Sequence, residues 1–237
     1  MKHPWEWAIA AGALLGALGW WLPWVLSESG AAALVLLGLD LGDFWKFTAE
    51  WRGGLFELER VLFFLPPTLA AMILALWLAG QCGWWRWFLL PLLLFLSVVI
   101  LPAFEFVRPA LAGVPFLYEY EALEGPAQDV MASYAREFTF QLQLAFAAVL
   151  VVLLVPLWQR LSDQVRRSLI ALLAITGAIL PPWALWRTWL VLDSFYGGGA
   201  LLGPGAVVSS GGFTLATVGA LISLLVSHAP DRAHAAG

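Results

Sequence analysis

Apolar residues gather into six long stretches along the chain, near 7–26, 61–80, 87–106, 138–159, 168–192 and 206–227. A run of about 18 or more such residues reads as a membrane-crossing helix, because roughly 20 residues rising 1.5 Å each span a hydrocarbon core of about 30 Å. The pattern predicts an all-α integral membrane protein, a bundle of about six transmembrane helices forming one domain over 1–237. The first, second and fourth stretches are the clearest. The third and fifth carry Glu105 and Arg187 near one end, and the sixth is diluted by Ser209, Ser210, Gly211 and Gly212. Lys2 ahead of an apolar run resembles a secretory signal, but Trp20, Trp21 and Trp24 stand where small residues should precede cleavage. The first stretch is read as an uncleaved anchor.

Between the stretches the polar positions carry local signals. From Asp43 to Arg52, Phe44, Phe47 and Trp51 recur at spacings of three and four, and Gly53-Gly54 supplies a stop. This predicts a short helix in the outer interface. Pro126 is placed to open a helix that runs into the fourth span, whereas Tyr118-Glu119-Tyr120-Glu121 reads as a loop. The glycine-rich run from Gly197 to Gly205 reads as a flexible outer turn between two helices. Leu22-Pro23, Leu101-Pro102 and Leu180-Pro181 recur near the outer ends of the three outward-running helices. Three hairpins descended from one would produce this; so would the preference of proline and tryptophan for outer helix ends.

Charge gives the bundle a direction. With the N-terminus inside, the short inner connections around 81–86 and 159–167 hold Arg86, Arg160, Arg166 and Arg167, the positive-inside pattern. Both termini then lie on the cytoplasmic side of a plasma membrane. Tryptophans agree: Trp5, Trp7, Trp77 and Trp158 fall at inner ends, and Trp20, Trp24, Trp183, Trp186 and Trp189 at outer ends, where the indole ring is apolar and its N–H wet.

Composition narrows the chemistry. The chain is 62% hydrophobic and 12% charged, with a formal net charge of −4. Nucleic-acid partners are excluded for want of a basic patch. Cys82 is the only cysteine, so neither an intrachain disulfide nor a multi-cysteine metal site can form, and a small buried hydrophobe is its expected role. His3, His228 and His234 lie at the termini, which leaves no histidine pair to clamp a haem inside the bilayer. Lys2 and Lys46 are the only lysines and neither lies in a span, which excludes a retinal Schiff base. No metalloprotease, phosphate-loop or serine-hydrolase motif occurs. No catalytic residue, metal site or cofactor is predicted.

Polar residues within membrane reach gather at the outer ends: Glu105, Arg108, Arg136, Glu137, Gln141 and Arg187, with Gln143 and Asp193 nearby. Charge inside a membrane is a functional hint by default, since it is costly at a helix centre. Near a helix end that cost falls as the side chain snorkels. Mutual ion pairing, with Arg108, Arg136 and Arg187 tied to Glu105 and Glu137, is the first account; a vestibule for an anionic headgroup or solute is the second. Two functions follow. One is a non-catalytic accessory or scaffold subunit that binds membrane lipids and other membrane subunits, or a second copy of itself, through its apolar flanks and small-residue faces such as Gly12, Gly16 and Gly19. The alternative is a transporter or lipid-binding protein using the outer polar site.

Overall fold

The computed structural model describes residues 4–28, 35–44, 57–81, 86–101 and 126–228, with the helix backbone alone at Asp43, Glu57, Arg86 and over 126–138. These residues are mostly helical. In chain order they form α1 (Pro4–Trp20), β1 (Pro23–Ser27), β2 (Leu36–Leu37), α2 (Gly38–Phe44), α3 (Glu57–Leu62), α4 (Leu65–Ala79) and α5 (Arg86–Val98). Then follow α6 (Pro126–Leu153), α7 (Val155–Trp158), α8 (Asp163–Phe195), β3 (Ala200–Leu202) and α9 (Pro204–His228). Two helices are long and apolar enough to cross a membrane by length and composition, Asp163–Phe195 and Pro204–Val226. Among the described residues two helices, and not six, are of that kind. The first three stretches give shorter helices, of 17 residues in α1, 15 in α4 and 13 in α5, and the fourth gives the apolar part of α6, Thr139–Leu153.

Prolines set most of the differences from the expected spans. Pro23 lacks an N–H and disfavours helical geometry at Leu22, so α1 stops at Trp20 where the apolar run predicts helix to 26. Pro66 and Pro67 sit in the first turn of α4, where a missing N–H costs least, and they separate α4 from α3. At Leu180-Pro181 the outcome is different: Pro181 and Pro182 lie inside α8, which runs on to Phe195. The two Leu-Pro sites with similar surroundings therefore adopt different structures, against the simple picture of a repeated hairpin. Pro126 does open α6, which continues to Leu153. The expected interfacial helix, apart from Asp43 and Phe44 at the end of α2, lies outside the described residues, as do Cys82 and the 118–121 segment.

The fold is not all-α. A three-stranded sheet in the order β2-β1-β3 covers one end of the bundle. Val25, Leu26 and Ser27 pair antiparallel with Leu202, Leu201 and Ala200, and on the other side Pro23 and Val25 pair with Leu37 and Leu36. The glycine-rich run is thus only partly a turn. Gly197 and Gly198 take φ of 65° and 84°, which side chains rarely adopt, and their turn brings β3 back against β1. Asp193 secures it by accepting a hydrogen bond from the Ala200 N–H at 3.1 Å.

At the centre stands α4. Every residue of α4 except Met72 is buried, against α1, α5, α6 and α8. A helix apolar on all sides has to be enclosed in this way. Beside it α1 and α9 pack antiparallel at backbone distance. A Cβ on Gly12 would fall 2.5 Å from both the Ala216 nitrogen and the Gly212 oxygen, one on Gly16 would meet the Phe213 ring, and one on Gly19 would meet Ser209. The Ser209 hydroxyl donates to the Gly16 carbonyl at 3.0 Å. The glycine face expected to receive another subunit is therefore filled by the chain's own last described helix.

Candidate functional site

Of the polar cluster read from sequence, Glu105 and Arg108 lie outside the described residues, and Arg136 and Glu137 lie on α6 where only the backbone is described. Gln141 is buried on α6. Arg187 has a partner, though a different one from those expected: its Nε donates to Oε1 of Glu59 at 3.3 Å.

The Glu59–Arg187 pair depends on the break between α3 and α4. Pro67 has no N–H to offer the Phe63 carbonyl four residues back. Trp20 supplies the missing donor, its buried indole N–H reaching the Phe63 oxygen at 2.7 Å. Turn hydrogen bonds from Phe63 N–H to the Arg60 carbonyl and from Phe64 N–H to the Val61 carbonyl complete the corner. The corner fixes α3 against α8, so the Glu59 side chain is only 8% exposed while that of Arg187 is 53% exposed. One turn earlier on α8, the Trp183 ring backs the guanidinium, whose carbon lies 5.7 Å from the ring centroid. Trp24 is also used structurally: it is fully buried and its N–H caps α1 at the Gly19 carbonyl, 2.8 Å away. Trp20 and Trp24 thus belong to the core, whereas Trp186 stands exposed.

A second polar node closes the opposite end. Arg167 donates to the Ser223 carbonyl at 3.0 Å and to Oε1 of Glu6 at 3.2 Å, joining the start of α8 to the end of α9 and the start of α1. One residue earlier, Arg166 pairs with Asp163 at 2.6 Å and packs against Gly80 after α4. Ser162 caps this helix by accepting from the Val165 N–H at 3.4 Å. Trp7 and Trp77 meet nearby with ring centroids 5.4 Å apart. Arg187 lies 20 positions after Arg167, about 30 Å along the helix at 1.5 Å per residue.

No family model, curated protein or solved structure matches the chain. Its activity has to be read from its own geometry. Between the two charged ends the bundle is apolar, and a cleft of about 300 Å³ between α1, α4 and α5 is lined by Trp7, Ala10, Leu74, Trp77, Leu89 and Leu93 among others. Among the described residues no three His, Cys, Asp or Glu side chains are grouped to hold a metal ion. Sequence reading missed Glu59, because Glu57-Leu58-Glu59-Arg60 just ahead of an apolar run looks like a solvated helix end. The usable signal was the double proline that follows, which forces a corner at which Glu59 and Arg60 are buried.

Proposed function

We propose that the chain is a multi-pass protein of the plasma membrane, a bundle of six crossing helices with both termini cytoplasmic, serving as a non-catalytic accessory or scaffold subunit. The observation that carries this reading is an apolar interior enclosed by an apolar exterior. While α4 is sealed in the centre, α8 turns Leu172, Ile179, Trp186 and Leu190 outward, the last 82% exposed. Water does not favour such a surface; hydrocarbon does. Arg167 and Arg187 bracket Leu172, Ile179 and Trp186 at a spacing that matches the hydrocarbon thickness. A filled centre with ion pairs at both ends suits a structural element. Partners meet its flanks, since the glycine face is already occupied.

The test places a photo-crosslinking residue at Leu172 and at Ile179 in native membranes, followed by mild-detergent extraction and sizing. A discrete adduct with one partner polypeptide, co-migrating with the chain before crosslinking, is expected. A monodisperse single chain crosslinked only to lipid would overturn the scaffold reading. The half-exposed Arg187 supports a second reading, a membrane protein that binds a lipid or small solute at its outer end.

A further inference from the structure

We propose that Arg187, oriented by Glu59 and backed by Trp183, binds the phosphate group of an anionic lipid in the outer leaflet, an inference that rests on the membrane reading above. A guanidinium has three nitrogens. Here Nε is committed to the Glu59 carboxylate at 3.3 Å, and the two terminal nitrogens meet no acceptor among the described residues. The buried carboxylate and the indole fix the plane of the group. What remains outward is its end-on edge, two parallel N–H groups at the spacing of two phosphate oxygens. Arginine held in this way is preorganised, so little side-chain freedom is lost when the anion arrives.

Depth and surroundings select the source of the phosphate. Arg187 stands about 30 Å along α8 from Arg167, so with Arg167 at one edge of the hydrocarbon Arg187 is at the other, within side-chain reach of the lipid phosphates just above it. Trp186, one residue before it, and Ile179, about two turns deeper, both stand exposed on α8. They offer apolar surface to a glycerol backbone and the first methylenes of an acyl chain. A free phosphate ion would use the same two N–H groups and gain nothing from Trp186 or Ile179.

The experiment uses the full chain in mild detergent, titrated separately with phosphatidylglycerol, phosphatidylcholine and inorganic phosphate. Native mass spectrometry reads bound lipid, and thermal melting reads protection. Phosphatidylglycerol is expected to bind and to raise the melting temperature most. Arg187→Ala should weaken it by about tenfold or more, the scale of one charge-assisted hydrogen bond. Arg187→Lys keeps the charge opposite Glu59 but loses the fork, so it should weaken lipid binding while melting like the parent without lipid. If the alanine variant does not fold, the lysine variant decides. Equal phosphatidylglycerol binding by the parent and the lysine variant would overturn the site, as would no binding of any probe. Protection by inorganic phosphate equal to that by lipid would overturn the lipid assignment. Release of the parent chain from membranes by alkaline carbonate would sink the membrane reading instead, leaving phosphate binding to be judged by the same variants.

Discussion

Nη2 of Arg167 lies 3.2 Å from Oε1 of Glu6, joining residues 161 positions apart in the sequence. Both side chains are largely buried, at 17% and 23% exposure, and Arg167 also holds the Ser223 carbonyl. Arg167→Ala should cost about 1–3 kcal/mol, because it strips a charge-assisted partner from a sheltered carboxylate. Glu6→Gln should cost less, since an amide oxygen still accepts. A double-mutant cycle of detergent-solubilised unfolding should give a coupling of about 0.5 kcal/mol or more. Strict additivity would mean that the pair does not hold the three helices together.

Two glycines on facing helices should respond with opposite signs. Gly12 lies against the α9 backbone, which cannot give way as a side chain can, so Gly12→Ala should destabilise by about 1–3 kcal/mol. Gly211 on α9 has open space where a Cβ would stand. There alanine should be neutral, or stabilising by up to about 1 kcal/mol through helix propensity. Melting curves of the two variants, in one detergent, check the difference; equal losses would refute the α1–α9 contact.

Orientation is testable with single cysteines in a Cys82→Ala background. Glu28 lies beside the sheet end and Gln164 beside the Arg167 end, and both are exposed. A membrane-impermeant thiol reagent should label Glu28→Cys on intact cells and Gln164→Cys only after permeabilisation, as the arginines of the 81–86 and 159–167 connections require. Equal labelling on intact cells would sink the proposed sidedness.

The helices were legible where their cause is local. Apolar runs and Pro126 are read within a few residues, and α6, α8 and α9 lie close to their expected places. The sheet was not legible, because Val25 meets Leu202 only after the bundle has brought them together, and the two strands have no alternating pattern of their own. Glu59 was missed for the same reason: its worth depends on Arg187, 128 positions away. For Gly12, Gly16 and Gly19 the small-residue face was visible, but a sequence does not say whether such a face meets another molecule or its own distant helix.

That distant partner has a consequence for how the protein is made. Ser209 follows Gly16 by 193 positions, so the groove on α1 emerges from the ribosome long before the helix that fills it. At roughly 5–20 residues per second, the gap is on the order of ten to forty seconds. Throughout that interval α1 has a bare backbone seam, which in the proposed membrane setting faces whatever else shares the bilayer. Any helix that met the seam in that time would have to leave before α9 could pack, because the glycine contacts admit only one backbone.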